Sequence, residues 1–540
     1  MFKLIKKICI LILFLSFTKI SNTLEVNSLV TTSHPLASKI GMETLKKGGN
    51  AMDAVIAVQM ALNLVEPMSS GIGGGGFLLY FDKKKNTLNF YDGRETSPEK
   101  IKKEFFLDKN GNPLKFYENA IGGLSIGVPG LISMLELSHK NHGSLNWEEL
   151  FVPTIKLANN GFKISKRMRN AIEKDKYLNI FTENRKYFDI KNKSVLKNTD
   201  FSETLKIISK KKSKGFYEGI IAEKIVYAIK NSEIKKGVIS LNDLKKYKAE
   251  KKSPLCGKYR EYKICGPSLP SAGGISILQI LGILEEFKLS KKTIKEDIHL
   301  ILEASKLSYK DRYKYLGDTK FSEEKIKELT SKKYLKKQSR KINKKKILGY
   351  DLKENFIPTS TTHFSIIDKE GNVASITSSI ENSFGSRLMA GGFLLNNQLS
   401  DFNFKIEGDL FKNNIIEGNK KPLSSMSPTI IFDKNNNIRM VIGSPGGKSI
   451  IMYVIKTIIG VIDWEMNISQ AVNFPNFTIS NNNIILEKNK FDKKIKEYLI
   501  NIGHPIIEKE LNSGLNGFEL KNKKILGIAD QRRDGLAISY

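Results

Sequence analysis

The sequence has little cysteine, three residues in 540. That excludes a disulfide-dense scaffold. It has only six histidines, and they are scattered. His139 and His142, in "HKNH", have no cysteine or carboxylate cluster near them in sequence, so no metal site is expected. No apolar run approaches the ~20 residues that cross a bilayer. RNP-type aromatics, zinc fingers, a basic zipper and internal repeats are all missing. Acidic residues are outnumbered, 56 against 88 basic ones, which leaves a net charge of +32. The excess is almost all lysine and runs along the whole chain. It reads as solvated faces, and no nucleic acid is expected as a partner.

What is present describes a soluble globular protein. Hydrophobic residues make up 40% and the mean hydropathy is −0.27. The length allows one large or two ordinary domains. The N-terminus, "MFKLIKKICILILFLSFTKI", places Lys3, Lys6 and Lys7 before an apolar stretch from Ile8 to Phe17. Polar and small residues follow. This is the layout of a secretory signal peptide over residues 1–23, with an uncleaved anchor as the alternative, and it implies a periplasmic or secreted product. Export bears on Cys256 and Cys265, which flank a turn-like centre in "PLCGKYREYKICG". A disulfide across a hairpin and two buried thiols both fit.

Apolar periodicity places two helices in residues 35–64, the second apolar almost all round and therefore buried. Strands are expected at Phe77–Asp82 and Thr87–Tyr91. Residues 127–350 read as mainly helical, with a lysine-dense surface at 323–347. After residue 360 short β-runs succeed one another, and helices return at 447–459 and 466–474. Strands grouped with helices, without strict alternation, imply layered α+β packing. A boundary in kind falls near 355–361. Two glycine stretches invite a phosphate reading. "GIGGGGF" follows a helix and precedes a strand, the reverse of a Rossmann or P-loop order. "GSPGGKSI" is one residue short of a P-loop and carries a proline in the cradle. No cofactor is expected. Gly446 and Gly447 still end a strand at a helix start, where backbone N–H groups can hold a negative oxygen.

"GGNAMDAVIAVQMALNLVEPMSSGIGGGGF", "DGRETSP", "TTHFSIIDKEGN", "LLNNQLSDF", "PLSSMSPT" and "GSPGGKSI" occur in this order. From about residue 30 to Tyr540 the chain resembles the γ-glutamyltranspeptidases, which are N-terminal-nucleophile hydrolases. The resemblance implies a four-layer αββα sandwich and autocatalytic cleavage between Ser360 and Thr361. A large subunit, 24–360, and a small one, 361–540, would then share one fold as a heterodimer. Thr361 would gain a free α-amine, with a pKa near ~7.7–8.0, to serve as base for its own hydroxyl. Ser379 would support that hydroxyl, and the N–H groups of Gly446 and Gly447 would stabilise the oxyanion. Arg94, with Ser424 and Ser425, would hold the substrate α-carboxylate. Gln398, Asp401 and Glu381 would receive its α-ammonium. The implied partners are glutathione and other γ-glutamyl compounds, with water, amino acids or peptides as acceptors.

His363 reads as a packing residue, and Thr362 as pointing away from Thr361. Ser379 stands where the family often has threonine, and Glu381 where it often has asparagine. Residues 402–421 occupy the place of a lid in some members but contain no tyrosine. Two alternatives stand beside this reading. A cephalosporin or glutaryl acylase would share the fold and nucleophile. A secreted binding protein would never mature.

Overall fold

Residues Ala51–Val65 form a helix with no polar face: all of them are buried. Asn50 caps it, its side chain accepting from the N–H groups of Met52 and Asp53, while Asp53 accepts from the N–H of Asn50. Such a helix needs cover on every side. In the computed structural model, which describes residues 28–318, 323–349 and 360–540, it lies between helix Pro35–Lys46 and the face of a sheet. The signal peptide and most of the expected boundary region lie outside the described residues.

The strands that matter are β1 (Leu29–Thr32), β2 (Gly75–Asp82), β3 (Thr87–Gly93), β4 (Glu250–Lys252), β5 (Leu255–Tyr259), β6 (Tyr262–Gly266), β7 (Thr362–Ile367), β8 (Val373–Ser379), β9 (Thr429–Phe432), β10 (Ile438–Gly443), β11 (Asn516–Lys521), β12 (Lys524–Ala529) and β13 (Leu536–Ser539). A seven-stranded sheet runs in the order β13-β1-β7-β8-β2-β3-β4, and a six-stranded sheet in the order β12-β11-β10-β9-β6-β5. All these pairings are antiparallel.

Alternation along the strands builds the layers. Leu78 and Tyr80 of β2 join Phe364, Ile366, Ala374 and Ile376 against the two N-terminal helices. Phe77, Leu79 and Phe81 point the other way, toward the second sheet. There Phe81 meets Phe432 edge-on at 5.4 Å. Helices Ala272–Leu284 and Ile450–Ile462 cover the far side of the second sheet within the same core. The order is helix, sheet, sheet, helix, the expected αββα sandwich. Each sheet mixes strands from before and after Thr361.

The two early helices and the β2–β3 hairpin stand where the sequence placed them. The helix expected from 447 opens instead as a 3₁₀ turn, Gly447–Ser449, and becomes α-helical at Ile450. The second spans only Ile468–Asn473. The lysine-dense stretch forms helices Glu323–Leu329 and Lys332–Ser339, with Leu329 and Leu335 buried beneath an exposed lysine face. Cys256 and Cys265 face each other across β5 and β6 and form a disulfide. Among the described residues no helix is long and apolar enough to cross a membrane.

Candidate active site

Thr361 immediately precedes β7 and is buried. Its hydroxyl donates to the carbonyl oxygen of Ser360 at 2.5 Å. The hydroxyl thus lies against the peptide group that precedes it. Ser379, the last residue of β8, brings its Oγ to 3.0 Å from Thr361 Oγ1 and 3.1 Å from the Ser360 carbonyl oxygen. Ser379 Oγ itself accepts from the Glu381 N–H at 2.9 Å. Its proton is therefore directed at the Thr361 hydroxyl or the Ser360 carbonyl oxygen.

The glycine run before β2 explains how β8 can end so close to its neighbour. A Cβ on Gly74 would lie 2.1 Å from the Ser379 carbonyl oxygen. The run serves close backbone approach, not phosphate binding.

An open cleft runs past Thr361. Ser379, Glu381, Gln398, Asp401, Ser424, Ser425, Gly446 and Gly447 all line it. The sequence expectation is thus gathered in one place, from segments far apart in the chain. Gly446 and Gly447 take φ of 131° and 55°, conformations that favour glycine, and they sit between the end of β10 and the helix at Ile450. They line the same cleft as Thr361, at a strand-to-helix turn of the kind whose backbone N–H groups can hold a negative oxygen.

Arg94 is placed differently from expectation. It is fully buried and does not line the cleft. Its Nη2 donates to Asp401 Oδ2 at 2.6 Å, its Nε to the Pro422 carbonyl at 2.9 Å, and its Nη1 approaches Glu95 Oε2 at 3.5 Å. The fork is occupied because burying a guanidinium demands partners on every N–H. Arg94 acts on the cleft through Asp401, to whose Oδ2 Gln398 also donates at 3.0 Å. Burial pushes the Glu95 carboxyl up to about 7, with the Arg94 charge pulling the other way.

Glu381 holds a left-handed backbone, φ 76°, and its Oε2 accepts from Asn397 Nδ2 at 2.8 Å. Burial, then the Asp401 charge, push its carboxyl above the usual range. His363 is buried and lowered to about 3 by burial. It bonds Thr377 and Ser365, a neutral packing residue as read from the sequence. Thr362 turns away and donates to Glu66 Oε2 at 2.9 Å. From residues 402–421, Phe402, Asn403, Phe411 and Asn414 form part of the cleft wall. Phe404 anchors the segment by stacking on Phe106 with ring centroids 4.5 Å apart.

Three residues near the nucleophile escaped the sequence reading. Arg533 Nη1 donates to the Thr361 carbonyl at 2.7 Å, and its Nε donates to the Ser513 carbonyl at 2.7 Å. Glu66 lies 3.5 Å from Arg533 and pairs also with Arg167. Two arginines thus share one buried carboxylate beside the chain segment that carries Thr361. The available signal was compositional. In a chain whose cations are nearly all lysine, an arginine is a candidate for a place where a fixed, planar fork is needed, though Arg185 and Arg340 are exposed.

Comparison with known proteins agrees with this geometry. The sequence profile of the Gamma-glutamyltranspeptidase family matches residues 37–540. A Glutathione hydrolase proenzyme of Bacillus subtilis strain 168 is 34% identical over 545 residues, covering 95% of this chain and 91% of its own. The structure of a cephalosporin acylase from Bacillus halodurans superposes with a TM-score of 0.82 at 23% identity, covering 95% of this chain and 96% of that one, and shows the shared fold. The Helicobacter pylori γ-glutamyltranspeptidase structure gives 0.55 at 35% identity, over 59% of this chain and 92% of that one. Agreement with the family profile over residues 37–540, and with the Bacillus subtilis relative over 95% of the chain, leads to one conclusion: this chain belongs to the γ-glutamyltranspeptidase family.

Proposed function

We propose that this protein is an exported proenzyme that cuts itself between Ser360 and Thr361 and then transfers γ-glutamyl groups from glutathione and similar amides to water or to amines. One observation carries the reading: the Thr361 hydroxyl lies against the Ser360 carbonyl, with the Ser379 hydroxyl beside both. In maturation, Thr361 Oγ1 attacks the Ser360 carbonyl carbon. The C–N bond breaks, and the Thr361 nitrogen takes the proton. Water then hydrolyses the ester, leaving a carboxylate on Ser360 and a free amine and hydroxyl on Thr361. The large subunit is 24–360 and the small one 361–540.

In turnover, the hydroxyl adds to the γ-carbonyl carbon and its proton passes to the Thr361 α-amine. The N–H groups of Gly446 and Gly447 receive the oxyanion. The C–N bond of the donor breaks, and the departing amine takes the proton. Water or an acceptor amine attacks the γ-glutamyl ester and gives its proton to the α-amine. The Thr361 hydroxyl leaves with that proton. Asp401, Glu381 and Gln398 meet the donor α-ammonium. Ser424 and Ser425 meet its α-carboxylate directly, with the Arg94 charge behind Asp401.

A glutaryl acylase needs no ammonium acceptor, and the paired Glu381 and Asp401 carboxylates argue against it. The test is the purified protein with γ-glutamyl and glutaryl anilides. Release of anilide from the first only is expected, together with a smaller fragment beginning Thr-Thr-His-Phe. Turnover of the glutaryl compound alone would replace this reading with the acylase.

Two variants probe the details. Ser379→Ala removes the proton that serves the scissile carbonyl, and both maturation and turnover should slow roughly 10–100-fold, in line with ~1.5–3 kcal/mol for a hydrogen bond to a charged group. Ser379→Thr should keep near-normal rates. Unchanged cleavage in Ser379→Ala, followed on gels over time, would exclude the role. Glu381 gives a pH dependence. A raised carboxyl stays protonated at pH values where an ordinary one is ionised, and a neutral acid cannot balance an ammonium. Donor KM should therefore fall as pH rises through the Glu381 titration, and Glu381→Gln should flatten that limb. A wild-type KM already flat from pH 5 to 8 would count against it.

A further inference from the structure

Gly446 joins the two peptide planes whose N–H groups receive the oxyanion in the reading above. One plane is Pro445–Gly446. Its carbonyl oxygen, on Pro445, accepts from the Ser444 hydroxyl at 2.8 Å. The other is Gly446–Gly447. Its carbonyl oxygen, on Gly446, accepts from the Ser449 N–H at 3.1 Å. In a trans peptide the N–H points opposite to the carbonyl, so these two bonds set the direction of each N–H. The hinge between the planes is Gly446 itself, at φ 131° and ψ 20°. Glycine is the most permissive hinge a chain can have, so what packs against it decides how firmly the two planes are held together.

Tyr453 packs against it. The residue lies in the first turn of helix Ile450–Ile462 and is 2% exposed. Its side chain leans back toward the helix N-terminus, as long helical side chains do. A Cβ on Gly446 would lie 2.7 Å from Cε2 and 3.2 Å from Cδ2 of the ring. The ring edge therefore abuts the hinge, and it does so from behind, since Tyr453 does not line the cleft. A second contact fixes the residue before the hinge. A Cβ on Gly514 would meet Arg533 Nε at 2.6 Å and Pro445 Cγ at 2.7 Å. Arg533 is the side chain that donates to the Thr361 carbonyl. Pro445 thus shares a support with the arginine that grips the nucleophile's own residue.

We propose that Tyr453 is a positioning residue for the acyl transfer: its ring holds the Gly446 hinge so that both N–H groups stay aimed at one point in the cleft. The inference rests on the γ-glutamyl reading and on the oxyanion role given there to Gly446 and Gly447. The ring touches no reacting atom and acts through the glycines alone. Its effect belongs to the tetrahedral stage, when the negative oxygen forms. The residues that meet the donor's ionic end come from other segments, so donor binding is left as it was. An interaction of this kind changes kcat and not KM.

The test compares mature wild type, Tyr453→Phe, Tyr453→Leu and Tyr453→Met on γ-glutamyl-p-nitroanilide, with rates referred to the cleaved fraction on gels. Tyr453→Phe keeps the ring and should stay within about twofold of the wild-type kcat. Tyr453→Leu and the longer Tyr453→Met remove the ring and keep a buried apolar side chain. Their kcat should fall roughly 10–100-fold, less than the loss of a whole oxyanion donor, with donor KM within about twofold. A boronic acid with boron in place of the γ-carbonyl carbon becomes tetrahedral on the Thr361 oxygen. Its affinity should fall by about the same factor as kcat, while inhibition by L-glutamate, which shares only the donor's ionic end, should not change. An unaltered kcat in both ring-less variants would overturn the proposal. So would an equal loss in Tyr453→Phe, which would give the role to the hydroxyl, or a rise in donor KM and in the glutamate inhibition constant that matches the fall in kcat, which would mean a cleft loosened throughout. A natively folded ring-less variant that fails to mature would place the ring at the scissile peptide and overturn it too. A wild type inactive on the anilide would remove the γ-glutamyl reading itself, a separate outcome.

Discussion

Thr361→Ala should remain a single uncut chain after days at neutral pH and release no glutamate from γ-glutamyl anilide. The expected loss is at least ~10⁴-fold, the scale seen when a covalent nucleophile is deleted. The prediction is sharp because one atom serves both reactions. The hydroxyl that lies 2.5 Å from the Ser360 carbonyl oxygen is the atom that would later carry the acyl group. The alanine variant should fold, since Thr361 contributes only a methyl and a hydroxyl to a strand held by its neighbours' ladder bonds. Its circular dichroism should match that of the wild type. Thr361→Ser keeps the oxygen and loses the methyl that fixes χ1, so it should still cut and turn over, more slowly. A properly folded Thr361→Ala that still splits at this bond would end the mechanism.

Asp401→Ala should have the second-largest effect, and only on turnover of γ-glutamyl donors. Asp401 accepts from Arg94 and Gln398 through Oδ2 and is partly exposed to the cleft, with 26% of its side chain open. Its removal takes the ammonium acceptor from the donor and the closest carboxylate from Arg94. A lost charge-assisted contact of this kind costs on the order of 3 kcal/mol, or about a hundredfold in kcat/KM, with donor KM rising. Asp401→Asn should fall between, because it keeps a hydrogen-bond acceptor without the charge. Maturation should continue in both variants, since Asp401 makes no bond to Ser360 or Thr361. An Asp401→Ala enzyme with unaltered donor KM would move the ammonium site to Glu381 alone.

The legible and illegible parts of this chain differ for physical reasons. The short apolar run at Phe77–Phe81 before a lysine-rich turn and the nearly all-apolar helix at 51–65 are local patterns, and both elements were readable. The αββα sandwich and the cleft residues came from the resemblance that six ordered motifs bear to the γ-glutamyltranspeptidases; local pattern alone reached only layered α+β packing. Burial of Arg94 was not readable. Its place depends on where Asp401 and the Pro422 carbonyl arrive, and those lie more than 300 residues away in sequence. Arg533, Glu66 and Arg167 were missed for the same reason. Each is an unremarkable charge locally and becomes part of the site only when three distant segments meet. The pairing of Cys256 with Cys265 was open until the register of β5 and β6 set them opposite each other.

The interleaving of strands has a mechanical result. In the first sheet β7 and β8 are inserted between β1 and β2, while β13 closes the edge beyond β1. Scission before β7 therefore frees no detachable piece. Pulling the fragments apart would mean unzipping β1 from both its neighbours and β8 from β2, exposing the shared interior as it went. Such a cut would remove one covalent tether while every strand pairing across it stays in place, so a new chain terminus could be created in the middle of a core with its packing intact.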